Sequence, residues 1–177
     1  MAPGDSPSPD WREEAIGRRH DRRSFDCGSP ELNEYLVRYA RQNQEFGIAR
    51  TFVAVVNEEP NRVLGYYSLT VVGIDKANLP PEAAKRFPNY PIPVTRLARL
   101  AVDRGMQGQG LGEDLLIDAL HRCLRVAREV SIVAVLVDAK HEQAKGFYAR
   151  YEFESLPGRP LTLWLPMASV RRLFGEE

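Results

Sequence analysis

The sequence predicts an α+β fold in three layers: a mixed, twisted sheet of about six to seven strands flanked by helices on both faces. Three observations carry this expectation. Short β-branched apolar runs are interleaved with amphipathic helical segments. The first two such runs are separated by a tight turn, as in a hairpin. Further on, a strand passes through a glycine-rich loop into a long helix and then into another strand, the order of a parallel crossover. With 177 residues, 44% hydrophobic and 27% charged, the chain suits one domain with its own core, residues 11–177.

The elements follow in order. "MAPGDSPSPD" is rich in Pro, Ser and Gly and is expected to be a disordered tail over residues 1–10; it lacks the basic and apolar regions of a secretion signal. "WREEAIGRRHDRRSFDCG" is charged and fits no template. "SPELNEYLVRYARQNQEFG" reads as a helix: Ser29 suits the N-cap, Pro30 the first position and Glu31 the positive end. Leu32, Tyr35, Leu36, Tyr39 and Phe46 recur at helical spacing, and Gly47 closes it. "RTFVAVV" (Arg50 to Val56) and "RVLGYYSLTVVGI" (Arg62 to Ile74) are strands around the turn "EEPN". A Pro-rich crossing, "LPPEAAKRFPNYPIPV", has room for one helical turn. "TRLARLAVD" (Thr95 to Asp103) is the third strand and ends at the glycine loop. "LGEDLLIDALHRCLRVAREV" is an amphipathic helix with Leu115, Leu116, Ala119, Leu120, Leu124 and Ala127 on one stripe. "SIVAVLVD" is apolar almost throughout, as in a strand buried on both faces. "HEQAKGFYARY" is a short helix, "LTLWLP" a last strand, and "ASVRRLF" a closing helical turn.

Composition narrows the function classes. Twenty-four basic and 24 acidic side chains cancel, so no whole-molecule field draws nucleic acid or membrane, and any such attraction has to be local. No stretch approaches the roughly 20 apolar residues of a membrane span, and a cytoplasmic protein is expected. Cys27 and Cys123 lie far apart without metal-ligand spacing, which reads as two reduced thiols and no metal site.

The glycine loop is the strongest motif. "VDRGMQGQGLGEDLL" (residues 102–116) carries Gly105, Gly108, Gly110 and Gly112 just before a helix, where main-chain N–H groups can approach an anion. A P-loop would close on Gly-Lys-Ser/Thr, but Leu111, Gly112 and Glu113 stand there. A dinucleotide fingerprint begun at Gly108 would need glycine where Glu113 sits, and it belongs to a first strand–helix turn. The pattern Q/R-x-x-G-x-G/A does fit, with Gln107, Gly110 and Gly112.

With that loop between "RLAVD" and a helix, and a later strand followed by a helix containing "FY", residues 50–166 resemble the GNAT-superfamily N-acetyltransferases. The segments "FDCGSPELNEYLVRYARQNQEFGIARTFVAV", "VLGYYSL", "FPNYPIPVTRLARLAVD" and "AKGFYARYEF" are together similar to one branch, the TacT-like toxins of toxin–antitoxin systems, which acetylate the amino acid on charged tRNA. The resemblance implies a GNAT fold with acetyl-CoA as cosubstrate. It puts the pantetheine arm along Leu100, Ala101 and Val102, and the pyrophosphate on Gln107, Gly108, Gln109, Gly110, Leu111 and Gly112. Ala144 and Phe147 would meet the cofactor from the later helix. Tyr148 would be the general acid that protonates the departing thiolate, although without the resemblance it reads first as a core aromatic of "GFYARYEF".

No base is evident. Asp103 is the nearest acid but reads better as a loop cap, and His141 as the first residue of a helix. A strong base is dispensable if the acceptor is an α-amine, with a pKa of about 7.7–8.0, rather than a lysine near 10.4. Two residues depart from the family pattern: Glu152 stands where glycine is usual after the tyrosine helix, and His141 where many relatives carry asparagine.

A tRNA substrate calls for basic patches. The candidates are Lys85, Arg86, Arg96 and Arg99, with Arg22 and Arg23 in the N-terminal charged segment around His20; Arg99 also reads as an interior ion-pair partner. The branch further implies a ribbon-helix-helix antitoxin whose tail covers the active site, and a homodimer. Two rival functions stand beside the toxin: a GNAT enzyme for small amines or protein N-termini, and a non-catalytic acetyl-CoA-binding module.

Overall fold

A computed structural model describes residues 10–176, so the expected tail lies outside the described residues but for Asp10. Seven strands form one mixed sheet in the order β1-β2-β3-β4-β5-β7-β6. They are β1 (Trp11–Ala15), β2 (Arg50–Val56), β3 (Gly65–Ile74), β4 (Ile92–Val102), β5 (Ala134–Asp138), β6 (Glu154–Leu156) and β7 (Arg159–Pro166). All neighbours are antiparallel except β4 and β5, the one parallel pair. The helix between those two is α4 (Leu111–Glu129), as the crossover expectation required.

Period-two alternation divides the core. On β2, Phe52 and Ala54 face the layer of α4, while Val53 and Val55 face the N-terminal helices. α4 contributes Leu111, Leu115, Leu116, Ala119, Leu120, Cys123 and Leu124, all buried, and each leucine supplies about 1.5–3 kcal/mol of burial free energy. β5 is covered on both faces, with Val135 and Val137 on one side and Ala134 and Leu136 on the other. α5 (Glu142–Ala149) and α6 (Met167–Leu173) complete the α4 layer, and α3 (Pro81–Ala84) supplies the helical turn expected in the Pro-rich crossing.

Three local features differ from expectation. The charged segment contains an edge strand, β1, whose Trp11 indole N–H donates to Asp114 Oδ2 of α4 at 2.9 Å. The helix from Pro30 is not one α-helix: α1 (Pro30–Glu34) and α2 (Ala40–Glu45) flank a π-helical turn, Tyr35–Tyr39, in which the Ala40 N–H donates to the Tyr35 carbonyl. The extra residue changes the phase of the stripe. Tyr35, Leu36 and Ala40 go into the core, while Tyr39 is 46% and Phe46 68% exposed. Finally, Ser29 is extended at the N-cap but makes no capping bond; its Oγ instead accepts from Lys140 Nζ at 2.8 Å.

Candidate active site

The two parallel strands separate. β4 and β5 are paired only at Thr95–Val135, Arg96–Leu136 and Leu97–Val137. Beyond Leu97, β4 continues to Val102 while β5 ends at Asp138. The split coincides with a bulge: Ser68 of β3 is opposite Arg99 and Leu69 opposite Leu97, so Ala98 is the additional residue. From Ala98 to Val102, β4 therefore has β3 on one edge and open space on the other. A cavity of about 280 Å³ fills that space, lined by Leu97 to Val102 and by Gln107, Ala144 and Tyr148. Sheet main chain without a partner strand is what an extended amide-bearing ligand can pair with.

The glycine loop closes one end of this cleft. A 3-10 turn, Arg104–Met106, leads into it, and Gly110 caps α4 with φ +88°, a left-handed conformation that favours glycine. The Gln107 side chain ties the loop down by donating to the carbonyls of Val102 (3.0 Å) and Cys27 (3.2 Å). The first-turn N–H groups of α4 supply the positive end of a 19-residue helix. Leu111 presents only its main chain here, because its side chain is core. A Cβ on Gly112 would meet Val102 Cγ2 at 3.8 Å, an ordinary contact, so the protein's own packing does not require glycine there.

Tyr148 lies on α5, which follows β5 across the split. His141 starts that helix as a true N-cap, with Nδ1 accepting from the Ala144 N–H at 3.1 Å. Nδ1 is thereby occupied and carries no proton. Tyr148 is buried except for its reach into the cavity, and its ring packs edge-on against Phe147 and Phe153. Its hydroxyl makes no hydrogen bond among the described residues. Burial pushes its phenol up to about 12, so it is a proton donor throughout the neutral range.

Several expected residues fall elsewhere. Phe147 does not line the cavity; it packs against Tyr148 and Tyr151, with Arg150 over its ring. Asp103 makes no side-chain cap: its carbonyl accepts from the Met106 N–H, and its side chain lines a separate depression with Arg62 and Ser24. His20 is withdrawn from the basic segment, buried between the Gly17 N–H and Glu14. Arg22 donates to the Val37 carbonyl at 2.7 Å, whereas Arg23 is exposed. Lys85 pairs with Glu82, and both it and Arg86 adjoin α3, ahead of the N-terminal end of β4 and away from the cleft. Arg96 Nε lies 3.6 Å from Asp138. Arg99 has no ion pair among the described residues; it stacks on Tyr35, 3.7 Å from the ring centroid, at the cleft wall.

The opposite wall was not anticipated. Cys27 and Ser29, from the segment leading into α1, and Leu32 of α1 line the same cavity as Asp138, Lys140 and His141. Lys140 bridges the two sides through Ser29 and Glu31 (3.8 Å). Among the described residues, no cluster of His, Cys, Asp and Glu could hold a metal, and no helix is long and apolar enough to cross a membrane.

Residues 47–155 match the acetyltransferase (GNAT) domain family. The chain is 40% identical over 161 residues to a tRNA-acetylating toxin of Mycobacterium tuberculosis strain H37Rv, covering 91% of this chain and 95% of that protein. Its fold is similar to that of AtaT complexed with acetyl-methionyl-tRNAfMet, with a TM-score of 0.86 and 32% identity over 93% of this chain and 99% of that one. It is also similar to a tyrosine-to-phenylalanine mutant of AtaT bound to the C-terminus of the antitoxin AtaR and acetyl-CoA, with a TM-score of 0.80 and 29% identity over 94% and 99% of the chains. A split parallel pair, a glycine loop at a helix N-terminus and a free tyrosine hydroxyl thus coincide with an extensive sequence match, and the chain belongs to the GNAT acetyltransferase family.

Proposed function

We propose that this protein is a toxin that transfers the acetyl group of acetyl-CoA to the α-amine of the amino acid carried on charged tRNA, and so blocks translation. The observation that carries the chemistry is the unpartnered Tyr148 hydroxyl in the cleft where β4 parts from β5. The acceptor is inferred from the relative named a tRNA-acetylating toxin and the similar structure that holds acetyl-methionyl-tRNA.

In this reading the pantetheine arm pairs with the free edge of β4 at Leu100, Ala101 and Val102. The pyrophosphate meets the N–H groups from Gln107 to Gly112, and Ala144 borders the arm from α5. The neutral amine attacks the thioester carbonyl carbon; the new C–N bond forms and the C–S bond breaks. The departing sulfur takes the proton of Tyr148, and the proton lost by the amine returns to the tyrosine through solvent. A phenol at about 12 is a weak acid against a thiol near 8.5. Its donation is therefore driven by the charge developing on sulfur, beside a hydroxyl that makes no hydrogen bond among the described residues. No strong base is needed for an α-amine, which is partly neutral at physiological pH.

Residues 11–177 act as one catalytic domain in this proposal, in the cytoplasm. Arg99 is a cation of the cleft wall, with Arg96, Lys85, Arg86, Arg22 and Arg23 offering peripheral phosphate contacts. Inhibition by a ribbon-helix-helix antitoxin whose tail occupies the cleft, and assembly as a homodimer, complete the reading; a similar toxin structure holds an antitoxin C-terminus.

The test is a transfer assay with radiolabelled acetyl-CoA, total aminoacylated tRNA, uncharged tRNA and small amines. Label on charged tRNA alone is expected, with Tyr148→Phe reduced about 10²–10⁴-fold. Label on small amines but not charged tRNA would remove tRNA from the account. Equal growth arrest by wild type and Tyr148→Phe would remove the mechanism.

A further inference from the structure

A second cavity, of about 370 Å³, adjoins the cleft on the side away from the glycine loop. The two share Leu32, Ala98, Arg99, Asp138 and Lys140 in their walls, so they lie side by side. The second is within the size range of small-molecule sites. Its far wall is the π-helical turn, which supplies Tyr35 and Tyr39.

These aromatic groups are arranged unequally. Tyr35 is locked: its ring stacks on Tyr66 at 6.3 Å and 17°, and the Tyr66 hydroxyl is fixed by the Leu32 carbonyl at 2.7 Å. Arg99 lies flat enough on Tyr35 to place its guanidinium carbon 3.7 Å from the ring centroid. Tyr39 is the free member, half exposed to solvent where it lines the cavity, with its ring centre 6.3 Å from that of Tyr35. The wide turn is what brings it there. In an unbroken α-helix its position falls on the apolar stripe, whereas the extra residue turns it outward.

The charges sort themselves as well. Glu34 pairs with Arg38 (3.2 Å), Glu31 with Lys140 (3.8 Å) and Asp138 with Arg96 (3.6 Å). That leaves Arg99 as the cation of this wall with no carboxylate partner among the described residues, held in place by an aromatic face. An exposed aromatic ring beside an unpaired, oriented guanidinium is the combination that recognises an unpaired nucleotide: the ring stacks on the base and the cation meets ribose or phosphate oxygens.

We propose that this second cavity holds the 3′-terminal nucleotide of the acceptor, its base against Tyr39 and its sugar-phosphate against Arg99. The inference rests on charged tRNA being the acceptor. Given that, connectivity selects the place. The amine must reach the thioester beside Tyr148, the cofactor arm leaves along β4 toward Gly110, and the nucleotide is one ester bond from the amino acid. The space that opens from the transfer site in the other direction is this cavity.

The experiment compares three acceptors with the full-length protein: an amino-acid methyl ester, the same amino acid esterified to adenosine 5′-monophosphate, and the charged tRNA. For wild type, KM should fall when the nucleotide is added to the ester. Tyr39→Ala should raise KM for the nucleotide ester and the tRNA by about 5- to 150-fold, the range for loss of one stacked base, and leave the methyl ester unchanged. Tyr39→Phe keeps the ring and should behave as wild type, and Arg99→Gln should raise KM for the two nucleotide-bearing acceptors. An unchanged KM for the nucleotide ester in Tyr39→Ala, or an equal loss on all three acceptors, overturns the proposal while leaving tRNA acetylation intact. A wild-type protein that transfers nothing to charged tRNA removes the underlying reading, and with it this proposal, before any variant is compared.

Discussion

Gly65 offers a quantitative probe of how the cleft is supported. It begins β3 opposite Val102, behind the strand whose free edge lines the cavity. A Cβ added there would sit 2.9 Å from the Ala101 carbonyl oxygen, 2.9 Å from Leu115 Cδ1 and 3.3 Å from Leu111 Cδ2. Ordinary contact begins near 3.4 Å, so roughly half an ångström has to be found. Leu115 and Leu111 are fully buried and have nowhere to rotate, which leaves the β4 backbone at Ala101 and the start of α4 to yield. Overpacking of this kind costs about 1–3 kcal/mol. In a chain of this length that lowers Tm by about 2–12 °C, at about 2–4 °C per kcal/mol. Because the moving parts are the two that bound the proposed cofactor cleft, Gly65→Ala should weaken acetyl-CoA binding as well as stability. Circular dichroism melts and isothermal titration with acetyl-CoA measure both. A variant with wild-type Tm, or one that melts early yet binds acetyl-CoA with unchanged affinity, would refute the reasoning.

Three further outcomes are expected. With Tyr148 at about 12, kcat/KM should climb with deprotonation of the acceptor amine at about 7.7–8.0 and then stay level; a descending limb below pH 10 in a pH–rate profile would contradict Tyr148 as the acid. Glu13, pushed from 4.5 to about 7 by burial and then by the facing Asp118, binds its proton more tightly folded than unfolded. Its contribution to stability is therefore full below pH 4.5 and lost as pH rises through 7. Glu13→Gln should accordingly stabilise the protein at pH 8 by about 1–2 kcal/mol, a figure reduced for the water-exposed half of the side chain, with the gain vanishing toward pH 4.5 in urea titrations. Glu152 holds φ +71°, a left-handed conformation that costs a side-chain-bearing residue about 1–2 kcal/mol. Glu152→Gly should therefore raise stability by about 1 kcal/mol after the entropy gained by the unfolded chain, with no change in transfer kinetics, since Glu152 is outside the cleft.

Much of this was legible in the chain because it is local. The run from Thr95 through the glycine loop into α4 announces itself by period and composition, and so does the doubly buried β5. Glu152 stood out as a residue where glycine is usual, and its positive φ gives that departure a physical meaning. What stayed hidden depends on distant partners. β1 reads as charged because Arg12, Glu13 and Glu14 fill its middle, and only its pairing with the distant β2, from Trp11 opposite Val56 to Ala15 opposite Phe52, makes it a strand. The π-turn has no sequence signal of its own; the same apolar spacing suits a plain helix, and the core decides that Tyr35 enters and Tyr39 leaves. The second wall of the cleft is a meeting of Ser29 with Lys140, 111 positions apart, which no local pattern encodes.

The parting of β4 from β5 also bears on how such a protein can change over generations. In the proposed reading the cosubstrate is met largely by peptide groups, which every residue carries, along an edge the sheet leaves open between Ala98 and Val102. Substitutions among the side chains of the cleft can then redirect which acceptor is chosen while the acetyl donor stays in register. The catalytic machinery is buffered against mutation where it must be constant and exposed to it where variety is useful. Loss of donor binding calls instead for changes that move the backbone itself, and such changes are scarce and costly to the fold.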